Sequence, residues 1–390
     1  MILGVSVYPD LSPIESIEAY LQLASSHGFS RVFSSMFSMQ GTNDEIVAYF
    51  RRFIEAAHSY GMEVSLDVNP RFIAKMGGNY NDLSLFHDIG CDILRLDMSY
   101  CKERDLVACN NPYGIKIQLN ASMGIAKELA YLHEHGVTPD QLLLGHNFYP
   151  QRYTGLKWKD FQETNEYLSQ YGYSIEAFIS SNAPDTHGVW DAVDGLPTVE
   201  RMRDYPIDLQ ARLLDATDNI DGIFIGNAYA TEKELQDLQE CFTAPRDITK
   251  SPLYEVLSTF GAKIEQPKKE KKIKVKTVPG ITDEERYFLF EVYPQTDYGD
   301  SSEWIWRSRA GRFINQGYAL PARTYEQETF CAGDVVIVND AYRHYAGEIQ
   351  IARLPIRNDG KRNLVGRISP QEMEMLELIK NGDYLEFVEE

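Results

Sequence analysis

Two acidic residues stand where chain chemistry is most often placed. Asp67 lies near the end of the run Glu63-Val64-Ser65-Leu66-Asp67-Val68, and Asp97 follows Leu94-Arg95-Leu96. If these runs are adjacent strands, about 5 Å apart, the two carboxyls can flank one bond. Glycoside hydrolysis uses such a pair: one carboxyl protonates the leaving oxygen while the other acts as nucleophile or base. Structural roles are open to both, as caps of the following helices or as partners of Arg71 or Arg95.

A second stretch is rich in donors and aromatics: Gly145-His146-Asn147-Phe148-Tyr149-Pro150-Gln151-Arg152-Tyr153-Thr154-Gly155-Leu156. His146, Asn147, Tyr149 and Arg152 are candidates to grip an anionic or sugar-like substrate. The planar fork of Arg152 suits a phosphate. The alternative is a capped turn with aromatics on the rim and Arg152 paired to a surface acid. Asn120 and Ser122 are candidates for sugar hydroxyl or N-acetyl groups, although Ser122 is also placed to cap the next helix. Tyr8, Asn69 and Asn227, also near strand ends, complete the substrate-binding set. Asp185, Thr186, His187 and Asp191 invite a metal reading that no repeated ligand spacing supports. Thr198, Glu200 and Arg201 read as a helix start. Arg357, Arg362 and Arg367 are candidates to line an edge of the barrel mouth.

The elements that position these residues alternate from the first residues on. Apolar runs over 3–7, 31–35, 63–68, 93–96, 116–119, 142–144, 174–179 and 220–225 read as strands, with amphipathic helices between them. Ser12-Pro13 and Thr231 with Glu234 mark helix starts, and Gly28, Gly61, Gly90 and Gly136 mark stops. Eight such units in roughly 240 residues predict a (β/α)8 TIM barrel, whose sites lie at the carboxyl ends of the strands. An open doubly wound sheet is the other arrangement for this pattern, but no Gly-x-Gly-x-x-Gly or P-loop follows any strand. Residues 1–262 form the expected barrel and the basic run over 263–276 the expected linker. Residues 277–390, with expected strands over 288–292, 304–307, 334–338, 348–352 and 385–388 and one helix over 370–380, form a small closed β domain.

The chain has 390 residues, 43% of them hydrophobic, and a formal net charge of −20. That acidity argues against non-specific nucleic-acid binding, which needs clustered cations, but leaves room for a locally basic pocket. The five cysteines are odd in number and none are in Cys-x-x-Cys spacing, which points away from a disulfide framework and towards a reducing, cytoplasmic setting. The short apolar start reads as a strand, and no apolar run reaches membrane-span length. A homo-oligomer held by the β domain is compatible with this reading.

Several of these motifs together resemble one family. Ser6-Val7-Tyr8-Pro9, Asp67-Val68-Asn69-Pro70, Leu94-Arg95-Leu96-Asp97, Leu119-Asn120-Ala121-Ser122 and above all His146-Asn147-Phe148-Tyr149-Pro150 with Thr154-Gly155-Leu156 resemble the 6-phospho-N-acetylmuramidase family. Gly195-Leu196-Pro197-Thr198 and Asn363-Leu364-Val365-Gly366 extend the match over nearly the whole chain. The resemblance implies a TIM barrel followed by a cyclophilin-like β domain. It implies hydrolysis of the β-1,4 link of N-acetylmuramic acid 6-phosphate–N-acetylglucosamine in the cytoplasm, during cell-wall recycling, with no metal or organic cofactor. The expected partner is thus a small phospho-sugar, with no nucleic acid and no membrane. One departure stands out: where the family leads one to expect Arg-Gly-Pro before Gly195, the chain has Asp185-Thr186-His187-Gly188-Val189-Trp190-Asp191. Two other readings compete. A non-catalytic sugar-phosphate sensor needs the same pocket. A pyridoxal-phosphate racemase-like enzyme shares the two-domain layout but needs a Schiff-base lysine, which the first strand lacks.

Overall fold

The computed structural model describes the chain except residues 37–38, 80, 100, 262–264 and 316, and describes only the backbone of Asp191. Eight parallel strands close into a barrel in chain order: β1 (Ile2–Val7), β2 (Arg31–Ser35), β3 (Glu63–Val68), β4 (Ile93–Leu96), β5 (Lys116–Asn120), β6 (Leu142–Gly145), β7 (Ile175–Ile179) and β8 (Gly222–Ile225), which returns to β1. The expected TIM barrel is therefore observed. Its helices start where the sequence offers caps. Thr42 and Glu45 form a capping box for the helix Asn43–Ser59, and Thr231 and Glu234 form another for Glu232–Cys241.

The barrel interior is filled in layers. Towards the amino ends of the strands sits a buried polar plug. Arg31 on β2 bonds Glu176 on β7 and Glu63 on β3, and Gln118 Nε2 on β5 donates to Glu176 Oε2 at 2.6 Å. Burial pushes the Glu176 carboxyl up to about 7, against the pull of Arg31. Gly145 is small because Gln118 fills its space: a Cβ there would lie 2.5 Å from the amide carbon. Towards the carboxyl ends the filling turns aromatic. Tyr8, Phe33, Phe178 and Phe224 form a buried cluster with Val189, Leu196 and Ala228. Gly4 clears the room that the Phe224 ring occupies on the neighbouring strand.

The chain divides into two compact units, Met1–Phe242 and Thr243–Glu390. The boundary precedes the expected one because the helix Pro252–Thr259 packs on Ala310–Ile314, within the second unit. There, β9 (Lys271–Thr277), β10 (Ile305–Ser308), β12 (Asp334–Val338), β13 (Ile349–Ala352), β15 (Arg362–Arg367) and β16 (Leu385–Glu389) make a mixed half-barrel sheet ordered β10-β13-β12-β15-β9-β16. A separate ribbon pairs β11 (Thr329–Phe330) with β14 (Ile356–Arg357). Two expectations for this region are corrected. The supposed linker, of which 263–264 lie outside the described residues, is from Lys271 onward an interior strand of the sheet. Ile273 and Val275 are buried between outward lysines, so the alternation of a strand is present beneath the charge. The expected strand over 288–292 is largely the end of the helix Asp283–Phe290, which Thr282 and Glu285 start with a capping box. Among the described residues no helix is long and apolar enough to cross a membrane.

Candidate active site

Strand register aligns the acidic pair. Ser35 on β2 faces Asp67 on β3, and Asp67 faces Arg95 on β4. These three side chains therefore stand side by side near the carboxyl end of the barrel. Asp97 follows β4 directly. Arg95 is the clamp: Nη1 donates to Asp67 Oδ1 at 2.8 Å and lies 3.7 Å from Asp97 Oδ1, while Nη2 donates to Asn147 Oδ1. The two carboxylate oxygens that share Nη1 can be no further apart than those two distances laid end to end. Carboxyl groups whose inner oxygens are held this close can flank one glycosidic bond, and the bound is compatible with both the ≈ 5–5.5 Å of retaining glycosidases and the ≈ 6.5–9.5 Å of inverting ones.

The two acids have different surroundings. The Asp67 side chain is 10% exposed and that of Asp97 48%. Burial raises the Asp67 carboxyl to about 6; the Arg95 charge opposes this rise and that of Asp97 adds to it. Arg95 holds Oδ1, and among the described residues no hydrogen bond reaches Oδ2. One carboxyl thus holds its proton to a higher pH than an ordinary aspartate, with an oxygen free to deliver it, beside a second carboxyl open to water. This is the asymmetry that acid-assisted bond cleavage requires.

The cleft around them, of about 140 Å³, has walls of two kinds. Asp67, Arg95, Asp97, Asn147 and Ser35 are polar, and Phe33, Phe148 and Phe178 are aromatic. Phe33 meets both other rings edge-on, at centroid distances of 5.8 and 5.3 Å. Trp190 stands at the lip.

The other sequence candidates divide sharply. Asn147 lies in the cleft, held by Arg95 and by Thr198 Oγ1, which donates to its carbonyl at 2.9 Å. His146 is wholly buried beneath it. Its Nε2 lies 2.7 Å from Asn165 Oδ1 and its Nδ1 3.0 Å from Ser122 Oγ. The amide oxygen of Asn165 can only accept, so Nε2 carries the ring proton; Ser122 Oγ, which accepts from the Asn147 amide at 2.9 Å, then donates its own proton to Nδ1. Desolvation holds the imidazole down at about 4. His146 is thus a neutral strut under Asn147. Ser122 does not cap the helix Ala126–Glu134, as expected from its place, but serves this strut.

Asn69 caps the helix Pro70–Lys75, its Oδ1 accepting from Phe72 N at 2.9 Å. Asn120 is taken up by the Asp97 carbonyl and the Ser122 amide. Asn227 is taken up by Ser180, Ser181 and Thr186. Tyr8 is buried, donates to the Gly226 carbonyl, and has its phenol pushed above the ordinary range by desolvation. Tyr149 and Arg152 are not among the residues lining the cleft. Arg152 Nη1 pairs with Asp204 at 2.7 Å. The loop itself is pinned by Glu200, whose carboxylate accepts from the amides of Tyr153 at 2.6 Å and Gly155 at 2.8 Å. Burial works against that carboxylate, but Arg203 and the two amides outweigh it and hold it down at about 2.

His187 packs against Tyr8 and Tyr229 and bonds Ser12 at 3.2 Å. Among the described residues no group of three or more His, Cys, Asp or Glu side chains is placed to share a metal ion. Arg95 is the residue that composition and motif reading undervalue. A charged residue inside the apolar run Ile93–Leu96 has to face the barrel lumen or find a buried partner, and that signal is visible in the sequence.

The model of the 6-phospho-N-acetylmuramidase N-terminal region matches residues 3–240, and that of the C-terminal region matches residues 271–388. The chain belongs to the 6-phospho-N-acetylmuramidase family. The family name denotes a glycoside hydrolase, which agrees with paired carboxyls in a barrel mouth. Among solved structures, an uncharacterized B. cereus protein is similar at 33% identity over 99% of both chains, with a TM-score of 0.83. A conserved protein of unknown function from Enterococcus faecalis shares the fold at 22% identity over 100% of this chain and 97% of its own, with a TM-score of 0.68. No curated protein matches the chain.

Proposed function

We propose that the chain hydrolyses the link between N-acetylmuramic acid 6-phosphate and N-acetylglucosamine, inside the cell, as part of cell-wall recycling. The observation that carries this reading is the bridge Asp67–Arg95–Asp97 over an aromatic-walled cleft in a member of this family. In the proposed mechanism Asp67 Oδ2 gives its proton to the glycosidic oxygen as the C1–O bond breaks. Asp97 either attacks C1 or takes a proton from the water that does. If Asp97 attacks, water then displaces it from C1, leaving its hydroxyl there and giving its proton back to Asp67. If Asp97 is the base, it takes the water's proton as the hydroxyl joins C1, and exchange with solvent returns Asp97 to its ionised form and Asp67 to its protonated one. Asn147, supported by His146 and Ser122, orients the sugar. Two carboxyls against one guanidinium disfavour a dianion between them, so the phosphate belongs at the rim, away from the acid pair.

The test is direct. Purified protein incubated with the disaccharide should release N-acetylglucosamine and N-acetylmuramic acid 6-phosphate in equal amounts. Intact disaccharide after long incubation would refute the assignment, and binding without turnover would leave a sugar-phosphate sensor in its place.

A further inference from the structure

The loop after β7 holds a residue that the chemistry above does not use. Trp190 has φ 54° and ψ 39°, the left-handed region that a bulky residue rarely adopts. Its neighbours force this conformation. Val189 is buried in the aromatic cluster. The Gly188 amide donates to the Ala192 carbonyl at 2.9 Å, and the Ala192 amide to the Val189 carbonyl at 3.0 Å. Gly188 sits so close to Leu196 that a Cβ would lie 2.6 Å from Cδ1, so this arm of the loop has no room to relax. The tight turn therefore sends the indole outwards, where it is 64% exposed while lining the cleft of Asp67 and Asp97. Strain of this kind persists where the surrounding structure over-determines it, and it gathers at ligand clamps.

An exposed indole beside two carboxyls suits a particular ligand surface. The axial C–H groups of a pyranose form an apolar, slightly positive face that packs on the negative face of an aromatic ring. The cavity is about 140 Å³, well below the ≈ 300–1,000 Å³ of pockets that enclose whole ligands. One ring of a disaccharide therefore occupies it and the other rests at the lip, against Trp190. The ring whose C1 is attacked must sit between the two carboxyls, with its phosphate turned outwards, so the leaving ring is the one left at the lip.

We propose that Trp190 is the stacking platform for the leaving sugar, an N-acetylhexosamine, and sets specificity on that side of the bond. The proposal rests on the glycosidase reading.

The experiment compares Trp190→Ala and Trp190→Phe on two substrates of one glycone: the disaccharide, and the glycosyl fluoride of N-acetylmuramic acid 6-phosphate, whose leaving group has no ring. Trp190→Ala should lower kcat/KM on the disaccharide about tenfold, several times more than on the fluoride. Trp190→Phe should recover most of the difference. Equal losses on both substrates, or no loss on the disaccharide, would overturn the platform. A second readout needs no turnover. The chain has four tryptophans, and free N-acetylglucosamine should shift the emission of the wild type but not of Trp190→Phe. If the wild type cleaves neither substrate, the glycosidase reading falls. The emission change then decides the stacking site alone: its presence keeps the site, and its absence removes it.

Discussion

Replacing Arg95 by Met separates the roles of the two carboxyls. The guanidinium donates to Asp67 Oδ1 at 2.8 Å in a buried site. A hydrogen bond to a charged group contributes about 1.5–3 kcal/mol, which corresponds to about one to two pH units of carboxyl titration. Arg95 favours the ionised form, so its loss must raise the Asp67 carboxyl further. From about 6 in the wild type, it should move to roughly 7 to 8 in the variant. If Asp67 is the general acid, activity requires its proton. The alkaline limb of the kcat/KM profile then lies near 6 in the wild type and moves upward in Arg95→Met. If Asp67 were the nucleophile or base, the acid limb would move upward instead.

A phosphorylated substrate also titrates near 6, with a second pKa of about 6, but that limb belongs to the substrate and stays where it is in any variant. The assay is a pH series of initial rates at low substrate concentration, for wild type, Arg95→Met and Arg95→Lys. Lysine keeps the charge but not the fork that holds Asp67 and Asn147 together, so its limb should fall between the other two. Thermal melts of each variant report whether the barrel is intact. An alkaline limb that stays near 6 in a folded Arg95→Met protein, or an acid limb that moves in its place, refutes Asp67 as the acid.

Three further outcomes are expected. Asp67→Asn and Asp97→Asn should each lower kcat/KM by at least about a hundredfold, and activity retained in both would remove the pair from the chemistry. His146, held at about 4 against an ordinary 6.5, binds its proton more readily in the unfolded chain. Stability should therefore decline as pH falls from 6.5 towards 4, with about 3 kcal/mol of the decline due to this group. Chemical denaturation of the wild type and His146→Asn at pH 7 and pH 4 measures it: the gap between them should shrink by that amount, and a constant gap contradicts the buried neutral imidazole. Gly195 has φ 79°, and a Cβ there would lie 2.4 Å from Ser180 Oγ. Gly195→Ala should thus lower the melting temperature and weaken catalysis through the displaced loop, with about 1–3 kcal/mol lost; an unchanged melt would contradict the tight seat of this turn.

The barrel was readable because its strands are short, mostly apolar runs and many of its helices stop at a glycine, such as Gly28, Gly61, Gly90 and Gly136. These are local signals that the closed barrel leaves intact. Legibility failed where one property masked another. In β9 the lysines concealed the alternation of Ile273 and Val275. In the helix Asp283–Phe290, the apolar tail hid the capping box that starts it. At the site, Asp67 and Asp97 could be placed at neighbouring strand ends, but not joined through Arg95, because that depends on register across β3 and β4. Residue type also could not separate Asn147, which faces the cleft, from His146, one residue earlier and wholly enclosed. Trp190 gives no sign in the sequence, since its exposure comes from a left-handed turn fixed by packing on Val189 and Gly188.

The polar plug at the other end of the barrel bears on the order in which the protein can be made. Arg31 meets Glu63 only 32 residues later, but Glu176 follows 145 residues later. Gln118 depends on the same distant carboxylate. A chain emerging from the ribosome therefore exposes the first six strands before the Glu176 carboxylate that completes their polar interior exists. Its first half has no finished core to settle into, and the polar plug is complete only after β7 has been synthesised, before β8 closes the barrel onto β1. Asp67 and Arg95 are made early, yet the Phe178 wall of their cleft arrives with that same late strand. Completion of the plug and arrival of the cleft's Phe178 wall thus coincide in synthesis.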